Sequence, residues 1–230
     1  MFTSSRRSLL VGVAMAAPLL ILPGCATIGL DDGPAEGLRR LLGIASQRAL
    51  SRLATQNGYL NDAEARITAP TVAGDRSAAV LGALLRSAPV RRELTLVVNR
   101  AASEAADRAA PLVYDSIRSL TFSDALGIVR GGPTAATSYL EQSIGDRIID
   151  AMLPEVGDVL RQLDGGSILG PVLGAATGID IPGIQRTVTR QAAQGLWRAI
   201  GREEASIRAR PSTAGDPLVE SILNGAAALR

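Results

Sequence analysis

The sequence predicts an all-α protein, a single compact multi-helix domain of about eight helices behind an N-terminal export segment. Apolar residues recur at three and four positions almost throughout, alanine is plentiful on those stripes, and Gly, Pro and Asn punctuate them at helix-length intervals. At most a small hairpin near residues 57–70 interrupts this pattern.

In the first helix Leu38, Leu41, Leu42, Ala45, Ala49, Leu50 and Leu53 share one face, leaving Arg39, Arg40, Arg48 and Arg52 outside. Asn57-Gly58 supplies its stop, and a weak alternation through Ala65, Ile67 and Ala69 is the ground for expecting extended chain or a hairpin. Helical spacing returns over residues 77–85 and again over 90–109, where so much alanine permits close approach of a neighbouring helix. Pro111 should break or kink that helix before a further piece over 112–120.

Thr121-Phe122-Ser123-Asp124 has the form of a capping box and should start a short helix ending at Gly131-Gly132. Pro133 suits the first turn of the next helix, which points Ala136, Tyr139, Leu140, Ile144, Ile148 and Met152 inward until Pro154. A short helix with Val156, Val159, Leu160 and Leu163 is expected after it. A long helix over about 184–208, a turn region over 211–217 and a closing segment over 218–229 complete the body. Between that short helix and the long one lies a Gly-rich connector, 165–183, with glycine at positions 166, 170, 174 and 178. It reads either as a connector folded on the body or as a contact for a membrane surface or partner.

Missing residue types narrow the chemistry. The chain has no histidine, and all 24 of its basic residues are arginine. That excludes Ser-His-Asp and Cys-His nucleophile pairs, imidazole ligands, Schiff-base lysines and a P-loop lysine. The one cysteine, Cys25, can form neither an internal disulfide nor a thiolate cluster by itself. No cofactor and no metal site are expected.

The N-terminus reads as an address. Arg6 and Arg7 precede an apolar run over residues 9–22, which is within signal-peptide length and short of the roughly 20 residues a spanning helix needs. The run ends in Leu22-Pro23-Gly24-Cys25, which resembles a bacterial lipobox. Residues 1–24 are therefore expected to be a lipoprotein signal peptide, Cys25 the lipidated residue, and 25–36 a tether to a domain over 37–230. Ser5-Arg6-Arg7 with Leu9-Leu10 also resembles a twin-arginine signal, and either export route ends in the envelope. Without residues 1–24 the chain carries 24 − 2 = 22 Arg against 22 Asp plus Glu. A neutral body with few aromatic residues lacks the field and stacking surfaces of nucleic-acid binding. Its expected attachment is to the membrane through lipid. Ala26 after the cysteine favours the outer membrane facing the periplasm.

Several further motifs carry a family resemblance: Gly37-Leu38-Arg39; Arg66-Ile67 with Pro70; Val98-Asn99-Arg100-Ala101-Ala102-Ser103-Glu104; and Thr121-Phe122-Ser123-Asp124-Ala125 with Ile128 and Gly131-Gly132. To these add Thr134-Ala135-Ala136-Thr137-Ser138-Tyr139, Gly195-Leu196-Trp197 with Ile200, and Glu203-Glu204-Ala205-Ser206-Ile207-Arg208 with Pro211. In that order they resemble the bacterial domain-of-unknown-function family numbered 4197, over roughly residues 37–223. The resemblance implies a helical, exported, often lipid-anchored protein, and no activity.

Asn99, Arg100, Asp124, Thr134, Thr137 and Tyr139 fall inside these motifs and are the candidate polar network or ligand site. Asp124 and Thr134 have simple explanations at helix starts, while Asn99 or Arg100, if buried, would need partners such as Asp124. Asp146 and Asp150 share a helix face and read as a solvated acidic pair. Glu204 with Arg208, and Glu104 with Arg108, read as exposed supports at a spacing of four. The expected function is a non-catalytic envelope lipoprotein that binds a partner protein or other envelope component. A carrier of lipid or another apolar molecule is the alternative, and a carboxylate-only hydrolase a minor one.

Overall fold

The computed structural model describes residues 32–68, 87–162 and 180–228. Seven α-helices lie among them, with no strand: α1 (Asp32–Leu53), α2 (Gly58–Asn61), α3 (Ala88–Ser119), α4 (Ala125–Arg130), α5 (Ala135–Arg161), α6 (Ile181–Ala209) and α7 (Pro217–Ala228). A 3₁₀ turn, Pro211–Ala214, joins the last two. The all-α architecture and the helix count agree with the sequence expectation. Arg6, Arg7, Cys25, the expected helix over 77–85 and the Gly166–Gly178 repeat lie outside the described residues.

Amphipathic faces organise the packing. α1 packs on α3, α3 on α5, α5 on α6 and α6 on α1, so four long helices close a ring around one core. All seven apolar positions expected on α1 are buried there. α3 contributes mainly small residues, Ala101, Ala102, Ala105, Ala106 and Ala109, against Leu140, Ile144, Ile148 and Met152 of α5 and Leu196 and Ile200 of α6. Large side chains thus face small ones, and each buried Leu or Ile contributes about 1.5 to 3 kcal/mol. α2 packs on α3, while α7 packs on α1 and α4.

Several boundaries differ from the sequence expectation. α1 already begins at Asp32, inside the stretch expected as tether. α3 runs on through Pro111, where the sequence predicts a break or a kink, and α5 runs on through Pro154, where it predicts an end. Each proline is exposed, and the carbonyl four residues back belongs to an exposed Asp, Asp107 or Asp150, so water can replace the lost donor. The capping box is displaced: Asp124 itself caps α4, its carboxylate accepting from the Gly127 N–H at 2.7 Å.

No hairpin forms over the described part of residues 57–70. Asn57 takes a left-handed φ of 64° and α2 follows at once. A Cβ at Gly58 would collide with the carbonyls of Arg52 and Leu53, so only glycine turns the chain there. The alternation beyond it is real, with Ala65 and Ile67 buried and Arg66 and Thr68 exposed. Its partner is a side chain from α3 rather than a second strand.

Candidate functional site

That side chain is Asn99. It is fully buried, its Oδ1 accepts from the Ile67 N–H at 2.8 Å, and its Nδ2 donates to the Ile67 carbonyl at 2.7 Å and to the Thr95 carbonyl at 2.7 Å. One amide therefore supplies the pair of bonds that a neighbouring strand would supply. Ser103, one turn along, accepts from the Tyr59 N–H, and the buried Tyr59 hydroxyl donates to the Ala192 carbonyl at 2.8 Å. Burial pushes the Tyr59 phenol far above its ordinary pKa. The segment between α2 and Thr68 is thus fixed to both α3 and α6.

Thr137 meets a residue that sequence reasoning places on the surface. Glu204 of α6 is fully buried, and its carboxylate accepts from the N–H groups of Ala136 at 3.0 Å and Thr137 at 2.7 Å and from the Thr137 hydroxyl at 2.6 Å. Thr134 occupies the N-cap position of α5 without making a side-chain cap bond. A carboxylate from another helix satisfies those amides and places its charge at the positive end of α5. Arg208 completes the arrangement. Its Nε donates to Glu204 at 2.7 Å, and its two terminal nitrogens donate to the carbonyls of Val129 at 2.7 Å and Ile128 at 3.1 Å, near the end of α4. The expected exposed pair is therefore a buried junction of three helices. A signal exists in the sequence, since Glu204 shares its helix face with Leu196, Ile200 and Ile207.

The remaining candidates lie elsewhere. Arg100 is exposed and pairs with Glu104 at 2.7 Å, and Arg108 pairs with Glu155 at 3.2 Å, so the expected Glu104–Arg108 pair is replaced by two others. Asp124 caps its own helix and does not reach Asn99 or Arg100. The Tyr139 hydroxyl donates to the Thr121 carbonyl at 2.8 Å, and its ring lies 5.3 Å from that of Phe122. The six side chains do not meet in one network. Asp146 and Asp150 are exposed. Among the described residues no cluster of three or more acids or thiols could hold a metal ion.

A groove of about 780 Å³ opens between α1 and α3, with Ile44, Tyr114 and Ile117 among its lining residues. Its rim is charged and internally paired. Arg40 reaches Glu36 at 3.0 Å and Asp216 at 3.3 Å, while Arg39 donates to the Leu120 carbonyl at 3.0 Å. Asp216 also accepts from the Val219 and Leu218 N–H groups at the start of α7. The Val219 N–H foremost, with Arg40 and the Leu218 N–H, outweighs desolvation and holds the Asp216 carboxyl below its ordinary pKa.

A family model described as a protein of unknown function, DUF4197, matches residues 31–224. The chain belongs to this family. No curated protein and no solved structure matches it. In this DUF4197 chain the match runs from the residue before α1 into α7, so it covers the whole helical ring. Three of the motifs that carried the resemblance hold the buried polar contacts. Asn99 lies in the first, Thr137 in the second, and Glu204 with Arg208 in the third. In this DUF4197 member those motifs join helices rather than line the groove.

Proposed function

We propose that the protein is a cell-envelope lipoprotein, anchored through Cys25, whose helical body binds another envelope component without catalysing a reaction on it. The placement of the sole thiol at the end of an apolar run, in Leu22-Pro23-Gly24-Cys25, carries this reading. Six residues separate Cys25 from α1, and the seven steps to Asp32 reach at most about 25 Å. The Glu36–Arg40 rim of the groove then stays close to the lipid surface and accessible to a partner there. In the α1–α3 groove the acids are bridged by arginine and Asp216 is held ionised, which supports binding there over acid catalysis. Residues 1–24 serve as the signal peptide in this reading, with export by either the general or the twin-arginine route. The outer membrane is the proposed destination.

Growth with an alkyne-bearing fatty acid, followed by fluorescent tagging, tests the anchor. The native chain should take up label and fractionate with membranes, and Cys25→Ser should lose both properties. An unlabelled native chain, or label that survives the substitution, would refute the reading.

A second reading, binding of a small apolar molecule, draws on the groove's volume and on Ile44, Tyr114 and Ile117. Native mass spectrometry of the protein purified from envelope extract would detect such a ligand as a stoichiometric added mass. A clean apo mass would remove this reading and leave the first in place.

A further inference from the structure

The second groove has a different chemistry. It lies between α5 and α6, has a volume of about 310 Å³, and is lined by Glu141, Gln142 and Asp146 from one helix and Arg190, Gln194 and Trp197 from the other. Around the α1–α3 groove the charged side chains Glu36, Arg39, Arg40 and Asp216 are engaged with one another or with backbone, while among the described residues Gln47 and Tyr114 are not. Here none of the five polar side chains takes a partner among the described residues, although Arg190 shares the groove with two carboxylates. Their donors and acceptors are left to solvent or to a ligand.

Trp197 is the second observation. It is the chain's only tryptophan and is 5% exposed, yet its ring lines this groove. Its indole N–H has no acceptor and is absent from the enclosed unsatisfied polar atoms, which among the described residues are the hydroxyls of Ser46 and Ser116. The N–H therefore reaches the surface from a side chain that is otherwise buried. Tryptophan enclosed in this way usually finds a hydrogen-bond partner. Gly145 also lines the groove: a Cβ there would meet only the Glu141 Cγ, at an ordinary 3.8 Å, so packing does not demand the glycine. Partial burial raises the Glu141 pKa, as expected for an acid set back in a recess.

We infer that this groove is a carbohydrate-binding site for a short uncharged oligosaccharide, hydrogen-bonded by the Trp197 indole N–H and held by the amides, carboxylates and guanidinium around it. The closely spaced hydroxyls of a sugar both donate and accept. Gln142 and Gln194 do both, Glu141 and Asp146 accept, and Arg190 and the indole N–H donate. Two acids against one arginine leave little net charge, which suits a neutral ligand better than an anionic one. Soluble trimers of β-1,4-linked N-acetylglucosamine and of α-1,4-linked glucose are suitable probes.

Because Trp197 is the sole tryptophan, its emission reports this groove directly. Titration of the full mature protein with either trimer should give a saturable change in emission. Arg190→Ala and Gln194→Ala, both exposed positions that leave the core intact, should each weaken binding roughly tenfold. Arg100→Ala, on α3 outside the groove, should leave it unchanged. Absence of a saturable response to both sugars would overturn the inference, as would equal affinity in the groove variants. So would a response to spermidine alone, which would mark the acids as a cation site. None of these outcomes depends on whether Cys25 carries lipid.

Discussion

Glu204 and Arg208, one turn apart on α6, form an ion pair of 2.7 Å in which the carboxylate is wholly enclosed and the arginine side chain is only 10% exposed. The pair joins the start of α5 to the end of α4 and so fixes two helices on a third.

Breaking that pair from one side should be costly. Glu204→Ala strands the Arg208 charge and the Ala136 and Thr137 amides, and a loss of about 3 to 5 kcal/mol is expected. Glu204→Gln keeps an acceptor and should lose less. Urea unfolding followed by circular dichroism measures both. A loss below about 1 kcal/mol for the alanine variant, on the scale of surface pairs, would contradict the buried geometry.

Asn99→Ala removes both bonds to the Ile67 backbone and leaves an enclosed N–H and carbonyl without partners. The expected loss is about 2 kcal/mol or more. Hydrogen exchange should show the Ile67 amide losing protection well ahead of the helical core. Unchanged exchange there would mean that Asn99 does not hold the segment.

Acid should weaken the contact between the segment after α2 and α6. Arg202 donates to Asp62 at 3.1 Å and to Glu64 at 2.9 Å, and the Glu64 and Ala65 N–H groups donate to Asp62 as well. Desolvation opposes the Asp62 charge, but Arg202 and those amides outweigh it, so the folded-state pKa lies below the ordinary value. A lowered folded pKa means that the stabilisation is complete above the unfolded value of about 3.9 and is lost as pH falls through the folded value. Asp62→Asn should therefore lower the urea midpoint at about pH 7, with the gap from the native protein closing below about pH 4. A gap that stays constant across that range would contradict this.

Two glycines should respond in opposite directions. A Cβ at Gly43, within α1, would meet nothing within 4 Å, so Gly43→Ala should stabilise by about 1 kcal/mol through helix propensity. At Gly195 a Cβ would sit 2.9 Å from Tyr59 Cε1 and 3.1 Å from the Ala65 carbonyl oxygen, so Gly195→Ala should destabilise by roughly 1 to 3 kcal/mol. Thermal melts of the two variants side by side test the packing of α6 against the segment that follows α2.

Much of the fold is legible in the sequence because helix periodicity is local. The α1 stripe from Leu38 to Leu53 and the α5 stripe through Leu140, Ile144, Ile148 and Met152 are buried as their spacing requires. Neither helix ends at its proline, Pro111 or Pro154, because a proline's effect depends on whether water reaches the carbonyl behind it. The alternation after Gly58 does mark the burial of Ala65 and Ile67, but the chain turns over 63–65 and what holds Ile67 is the Asn99 amide, 32 residues away.

By itself the sequence determined the helical class, the spans of α4, α6 and α7 to within a few residues, the catalytic groups the chain lacks and the family to which it belongs. Each of these depends on composition or on residues within about one turn of one another. The tertiary structure alone decided which polar residues meet. Thr137 and Glu204 are 67 residues apart, and a spacing of four on α6 could not distinguish an exposed pair from an enclosed one. Desolvation and the two helix ends that converge on that pair come from packing, and so do the grooves on either side of the bundle.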